Sequence, residues 1–376
     1  MKLVYFVTED WYFCSHRLPL AVAAKEAGYA VYVVTRVASH GDEIRSAGLE
    51  LIPLDLSRRG RNPLTELHVI RQLTEIYKRL HPDIVHHVAL KPVLYGSIAA
   101  RFAGVPNVVN AMAGLGYLYS SNNATARLAR PLVKMVMRAL LNNDRTTVIL
   151  QNPDDVAVMC DSGIVPRERV ALIRGSGVDP EAYREQPEPQ GVPVVMLASR
   201  LLWDKGVGEF VAAARTLLAG GHEARFVLVG DSDDANPASI DSATLDSWHR
   251  DGNVELWGRR NNMPDVLAQA HIVCLPSYRE GVPKVLIEAA SCGRPIVTTD
   301  APGCREIVRH GENGLLVPMR DASALADAIR TLLEDPDLRS RMGQAGREIV
   351  KNEFTVEAVV NSTLDVYETM LQAGAQ

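Results

Sequence analysis

The sequence predicts an α/β protein built from two doubly wound units, and three observations carry that reading. At 376 residues the chain is too long for one hydrophobic core of ordinary size and suits two domains. Short apolar runs alternate with segments of helical periodicity along nearly its whole length, the pattern of parallel sheets with crossover helices. Between two such series, Gln186-Pro-Glu-Pro-Gln-Gly-Val-Pro193 sets three prolines within eight residues, the composition of a linker.

In the first series, strands are expected at 3–7, 30–35, 49–54, 84–88, 107–112 and 147–150, and the half is expected to end near 170–173. Helices are expected at 17–27, closed by Gly28, and at 63–80, 94–102 and 124–142, with Pro131 favouring a start within the last. The second series has strands at 194–198, 225–229, 254–256, 272–275 and 295–299, and helices at 206–219, 263–270, 283–291 and 322–333. Residues 231–247 read as an exposed polar loop, and 355–371 as a closing helix. The resulting division is a first domain at 1–180, a linker at 181–193, a second domain at 194–354 and a terminal helix at 355–376 that returns to the first domain. Ligands of such sheets bind beyond the carboxyl ends of the strands, so the site is expected in the cleft between the two domains.

Composition excludes several classes. With 47% hydrophobic and 23% charged residues, the chain is not disordered, collagen-like or a coiled coil. Its five cysteines are scattered and form no C-x-x-C pair, so neither a disulfide framework nor a zinc site is indicated. The opening Met1-Lys-Leu-Val-Tyr-Phe-Val7 is too short for a signal peptide core, and no run approaches a spanning helix. A cytoplasmic protein is expected. Its net charge of -5 hides an asymmetry. Residues 1–180 carry 21 Lys and Arg against 16 Asp and Glu, and the remainder 19 against 29. A basic front half suits an anionic substrate or membrane surface.

Chemistry concentrates in the second half. Leu275-Pro-Ser-Tyr-Arg-Glu280-Gly-Val-Pro283-Lys-Val-Leu-Ile-Glu288 reads strand, loop, helix. Pro283 suits the first helical position, Gly281 permits close backbone approach, and the amides of Lys284, Val285 and Leu286 are expected to stand unpaired as an anion site. Glu288 falls among apolar residues, where a carboxylate needs a partner. A sugar hydroxyl pair or a salt bridge would serve. Arg200-Leu-Leu-Trp-Asp-Lys205-Gly206 puts two cations in a βα loop, which is either a diphosphate contact or a solvated loop.

Taken together, Arg200…Lys205-Gly206, Gly258-Arg259, Pro276-Ser277…Glu280-Gly281-x-Pro283…Glu288-Ala289…Gly293-x-Pro295, Ala301-Pro-Gly303 and Gly311-Glu-Asn-Gly314 resemble the nucleotide-sugar domain of family-4 retaining glycosyltransferases. Glu280 and Glu288 match that family's two-glutamate motif. The resemblance implies a GT-B fold, with two Rossmann-like domains whose parallel sheets face each other across a cleft. It also implies donor binding by Arg200, Lys205, Gly258, Arg259, Glu280, Gly281, Val282, Pro283, Lys284 and Glu288. Arg200 and Lys205 would hold the diphosphate, Glu288 the ribose hydroxyls, and Glu280 the donor sugar. Glu280, Arg200 and Lys205 are the expected catalytic groups. No metal and no cofactor are expected, and Asp231-Ser-Asp233 has the spacing of a metal motif but lies in the polar loop.

The front half lacks the Gly-Gly turn common in the family, and Ala111-Met112-Ala113 stands where many members carry a histidine, so no catalytic histidine is carried over. His16 and Arg17 are expected to face the cleft, although His16 also reads as a capping or core histidine. Lys91 is an anion contact or a solvated lysine. Gly114 and Gly116 end a strand in a glycine loop. These five residues, His16, Arg17, Lys91, Gly114 and Gly116, are the expected acceptor contacts. Of the adjacent His86 and His87, at least one is expected to be structural. A narrower resemblance, carried by His16-Arg17-Leu-Pro19, Lys91-Pro92, Gly114-Leu-Gly-Tyr117 and Arg174-Gly-Ser-Gly-Val-Asp179, is to the N-acetylgalactosaminyltransferase branch that extends polyprenyl-diphosphate sugars. It implies transfer from a UDP-sugar, with retention, of a hexosyl unit of the N-acetylhexosaminyl type. Arg127, Arg130, Lys134 and Arg138 form a basic stripe on an otherwise apolar helix, which reads as a peripheral membrane contact on the inner face or as a wet domain face. No nucleic-acid partner is indicated. The rival readings are a UDP-N-acetylhexosamine epimerase on the same fold and a non-catalytic nucleotide-sugar-binding subunit.

Overall fold

The central strands, such as Ile84–Val88, Asn107–Met112 and Val194–Ala198, are short and buried on both faces, as parallel sheets covered by helices require. The computed structural model describes residues 1–56, 62–114, 124–233 and 236–373, with residues 124–130 described by backbone alone. The chain divides into two units, one of Met1–Ser176 with Val356–Gln376 and one of Gly177–Thr355.

The first unit holds β1 (Lys2–Glu9), β2 (Ala30–Arg36), β3 (Glu50–Pro53), β4 (Ile84–Val88), β5 (Asn107–Met112), β6 (Thr146–Leu150) and β7 (Val170–Leu172). All pair in parallel, in the order β3-β2-β1-β4-β5-β6-β7. Alternation along β1 sends Leu3, Tyr5 and Val7 into one core layer and Val4 and Phe6 into the other. The helices are α1 (Asp10–His16), α2 (Leu18–Glu26), α3 (Gly41–Ser46), α4 (Pro63–Leu80), α5 (Leu90–Ala103), α6 (Ala124–Leu141), α7 (Pro153–Asp161) and, from the far end of the chain, Val356–Ala373. That last helix packs on α2. It buries Val359, Val360, Tyr367 and Met370 in the layer that holds Tyr5.

Three expectations change here. The stretch 10–16 is helical rather than a loop. Asp10 stands at its start, and its carboxylate accepts the amides of Trp11 (2.8 Å), Ala38 (2.7 Å), Ser39 (2.9 Å) and His40 (2.8 Å). Burial disfavours that charge, but the four amides outweigh it and hold the Asp10 carboxyl below its usual range. Second, α6 runs through Pro131 without restarting, held by inward Met137 and Leu141. Third, both His86 and His87 are structural. They alternate to opposite faces of β4. His87 pairs with Asn110 Oδ1 (2.8 Å) and the Tyr77 hydroxyl (3.1 Å). His86 Nδ1 meets the Tyr367 hydroxyl. Burial keeps both neutral, His86 well below the usual histidine range and His87 down to about 4.

The second unit holds β8 (Val194–Ala198), β9 (Arg225–Val229), β10 (Glu255–Gly258), β11 (Ile272–Leu275), β12 (Ile296–Thr299) and β13 (Gly314–Val317), parallel in the order β10-β9-β8-β11-β12-β13. Its helices are α8 (Val207–Ala219), α9 (Ser242–Arg250), α10 (Met263–Ala268), α11 (Lys284–Ser291), α12 (Ala322–Glu334) and α13 (Pro336–Glu353), so Val356–Ala373 is α14. The polar stretch 231–247 is not loop throughout. Asp241 caps α9 by accepting the Thr244 amide at 2.8 Å.

Residues 181–193 are not a free linker. Arg347 donates to the carbonyls of Tyr183 and Ser291, and Arg294 donates to those of Gln186 (3.0 Å) and Pro187 (3.2 Å). Arg339 forks onto both oxygens of Glu188 at 2.6 and 3.0 Å, and the His271 ring meets the Pro189 carbonyl at 2.9 Å. This strap belongs to the second unit. The chain passes from one unit to the other at Ser176–Gly177 and returns at Thr355–Val356.

Candidate active site

In the second unit the strand order reverses between β8 and β11, and the crevice beyond their carboxyl ends is where ligands of such sheets bind. The two loops that leave these strands carry Arg200, Lys205 and Glu280–Pro283 of the predicted donor residues, while Gly258 and Arg259 follow β10 and Glu288 lies in α11. Gly206 (φ 72°) brings the two loops together, because a Cβ there would lie 2.1 Å from the Pro276 carbonyl oxygen. The Tyr278 amide donates to the Asp204 carbonyl at 3.0 Å, which ties the loops again.

Glu280 is held from several sides. Its amide donates to the Pro302 carbonyl (3.0 Å), and its Oε1 accepts the Ser277 hydroxyl (2.6 Å) and the Lys205 ammonium. Both members of the Lys205–Glu280 ion pair are largely buried, at 18% and 13% side-chain exposure, so their geometry is well fixed. Gly303 (φ 83°) closes the cluster from below, since a Cβ on it would come within 2.2 Å of the Gly281 carbonyl oxygen and 2.6 Å of that of Glu280. Lys205, with three donors, keeps capacity for an anion beside Glu280. Arg200 pairs with Asp233 at 2.8 Å and is 44% exposed, a weak bond that a diphosphate can displace. Asp231 accepts the Arg259 amide at 3.1 Å, next to the Gly230–Gly258 backbone bond of 3.0 Å. Both acids of the Asp231-Ser-Asp233 spacing are thus engaged within the protein. Among the described residues, no group of three or more His, Cys, Asp or Glu is placed to hold a metal.

The start of α11 differs in detail from expectation. Pro283 is the N-cap rather than the first helical residue, and the Leu286 amide bonds the Pro283 carbonyl at 3.0 Å. The amides of Lys284 and Val285 remain the outward donors of this helix end, and Val282 is buried before it. Glu288 is 5% exposed, and its Oε1 accepts the Tyr183 hydroxyl (2.7 Å) and the Lys284 ammonium. The salt-bridge reading of Glu288 therefore holds on one oxygen, and among the described residues the other receives no protein donor.

The predicted acceptor residues of the first unit are less uniform. His16 stacks on Tyr12 with ring centroids 4.2 Å apart and bonds Ser15. Lys91 is ion-paired with Glu66 at 2.9 Å and sits over the Tyr95 ring. Arg17, between α1 and α2, is 5% exposed, and its buried Nε meets no hydrogen-bond partner among the described residues. Gly114 adopts φ 95°, and Gly116 lies outside the described residues. Ahead of Lys91, Ala89 takes φ 78°, ψ 162°, a conformation nearly reserved for glycine. Sequence reasoning missed Tyr183, Asp233 as the partner of Arg200, Ser277 as a support of Glu280, and Gly303 as its floor. Only the short spacing from Ser277 to Glu280 could have flagged one of these.

The chain is similar to known glycosyltransferases along most of its length. Residues 2–152 match the family model described as glycosyl transferase 4-like, and residues 192–335 match that of glycosyl transferases group 1. Over 341 residues the chain is 28% identical to a Campylobacter jejuni N,N'-diacetylbacillosaminyl-diphospho-undecaprenol alpha-1,3-N-acetylgalactosaminyltransferase, covering 87% of this chain and 88% of that one. It is 26% identical to the Escherichia coli UDP-Gal:alpha-D-GlcNAc-diphosphoundecaprenol alpha-1,3-galactosyltransferase, over 80% of each chain. Among solved structures, sucrose-phosphate synthase from Thermosynechococcus elongatus superposes with a TM-score of 0.81 at 22% identity, covering 99% of this chain and 100% of that one. Two parallel-sheet α/β units of this topology are the GT-B fold. The chain belongs to the family of glycosyltransferases that the two matched models describe, and it is a hexosyltransferase.

Proposed function

We propose that this glycosyltransferase moves an N-acetylhexosaminyl unit from a UDP-sugar to a hydroxyl of a polyprenyl-diphosphate-linked saccharide, with retention at the anomeric carbon. The observation that carries the reading is the Lys205–Glu280–Ser277 cluster at the reversal point of the second sheet, beside the α11 amides. A cation, a fixed carboxylate and a helix N-terminus suit a diphosphate leaving group with a sugar attached. The two sequence relatives above transfer sugars to undecaprenyl-diphosphate saccharides, and one takes UDP-Gal.

In this reading the bond from the anomeric carbon to the diphosphate breaks, and the bond to the acceptor oxygen forms on the same face. The acceptor's proton passes to the departing diphosphate. Arg200, Lys205 and the amides of Lys284 and Val285 stabilise the charge that develops, so the reaction draws on no metal or cofactor. Arg17 supplies the acceptor side with a buried guanidinium that would pair with the acceptor's diphosphate. His16, Lys91 and Gly114 complete that side.

The protein works at the inner face of the cell membrane. The support is α6, where Leu132 and Met135 are 60% and 62% exposed beside Val136, Lys134 and Arg138, an apolar patch with cations. No helix among the described residues is long and apolar enough to cross a membrane. The epimerase reading loses its support, because the relatives named above are transferases.

The test is a panel of UDP-sugars offered with and without a polyprenyl-diphosphate N-acetylhexosamine. Product is expected only when the acceptor is present. Isomerised nucleotide sugar formed without acceptor would reject the proposal.

A further inference from the structure

Glu288 is nearly buried on α11, between the buried Ile287 and Ala289. Among the described residues two side chains reach it, and both use Oε1. The terminal torsion of a glutamate is broad, so a single contact would leave its carboxylate plane free to turn. Lys284 lies one turn earlier on the same helix and moves with Glu288. Tyr183 does not. It comes from the strap that follows the crossing at Ser176–Gly177.

The strap holds Tyr183 firmly. Its carbonyl accepts the Ser291 hydroxyl (2.8 Å) and Arg347 Nη1 (3.1 Å), and its amide donates to the Asp179 carbonyl (3.0 Å). The Lys284 ammonium stands 5.6 Å from the centre of its ring. The phenol has a geometrically fixed proton to give, and the carboxylate at 2.7 Å takes it.

We propose that Tyr183 is a positioning residue for the nucleotide pocket. By holding Oε1 it turns Oε2 of Glu288 toward the ribose, which couples ribose recognition to the seating of the strap. This rests on the reading of Glu288 as the ribose acceptor. A carboxylate aimed by a neutral donor meets both hydroxyls of a ribose with one oxygen already committed. Without that donor the carboxylate turns freely and loses part of its preference for a diol.

The experiment is calorimetric titration of the full chain with UDP and with 2′,3′-dideoxy-UDP, for the native protein, Tyr183→Phe and Glu288→Gln. Phenylalanine keeps the ring and removes only the donor. The native protein is expected to prefer UDP by about tenfold or more, and Glu288→Gln to lose most of that preference. Tyr183→Phe should lose roughly three- to tenfold in UDP affinity and nothing toward dideoxy-UDP. Equal losses toward both ligands, or no loss toward UDP, would overturn the positioning role while leaving Glu288 in place. A native protein that does not distinguish the two ligands would reject the ribose assignment and the role of Tyr183 with it.

Discussion

At the scale of the residue, the donor pocket is a set of charges that already hold one another. Lys205 and Glu280 are paired and largely buried, and Arg200 is on Asp233. In the proposed site, replacing Lys205 or Arg200 with alanine would remove charge that stabilises the leaving diphosphate, and we expect transfer to fall ~10²–10³-fold in each. Glu280→Ala should fall similarly, because it also releases Lys205. Circular dichroism should report a native fold for all three, and near-normal turnover would contradict the site. Ala89 makes a different prediction. Its φ of 78° strains any residue with a Cβ. Ala89→Gly should raise stability by about 1 kcal/mol in urea unfolding, and a loss would show that the strain is absent. The charged residues of the pocket were legible in sequence because the spacing of Arg200, Lys205, Glu280 and Glu288 is that of a known family. Their partners were not. Tyr183 and Asp233 meet Glu288 and Arg200 across 105 and 33 residues, and nothing local marks such pairings.

At the scale of the element, sequence periodicity located most strands and helices closely, including 63–80, 84–88, 107–112, 194–198 and 272–275. The misses have physical causes. The helix at 10–16 depends on the buried Asp10 gathering amides from a loop almost thirty positions away, a tertiary effect outside any window. The Pro-rich strap read as a linker because proline and glycine dominate its composition. The arginines that pin it lie at 294, 339 and 347, far along the chain. Interfaces between loops are equally unforgiving. Gly303→Ala would force the Glu280 and Gly281 carbonyls away from a 2.2–2.6 Å approach. It should abolish most transfer while lowering the melting temperature only modestly. Activity that survives intact would show the loop floor to be pliable.

At the scale of the whole molecule, the basic front half is what the proposed membrane contact would call for. The basic front half carries α6 with its exposed Leu132 and Met135. Met135→Glu should weaken binding to vesicles containing anionic lipid several-fold, as read by co-sedimentation, without changing catalysis on a short-chain soluble acceptor. Unaltered sedimentation would remove α6 from the membrane contact. The buried histidines of β4 add a pH dependence. His87 titrates at about 4 when folded, below the usual histidine value, so the unfolded chain takes up the proton first. Its contribution is whole above about pH 6.5 and is lost as pH falls toward 4, a difference on the order of 3 kcal/mol. Urea midpoints should fall across that window, and His87→Gln should start less stable with a shallower fall.

The central claim is that the second unit's pocket transfers a sugar on one face. The most direct measurement is the anomeric configuration of the product formed from an α-linked UDP-N-acetylhexosamine and a polyprenyl-diphosphate saccharide, read by proton NMR. The account predicts an α-linked product. A β-linked product would contradict it.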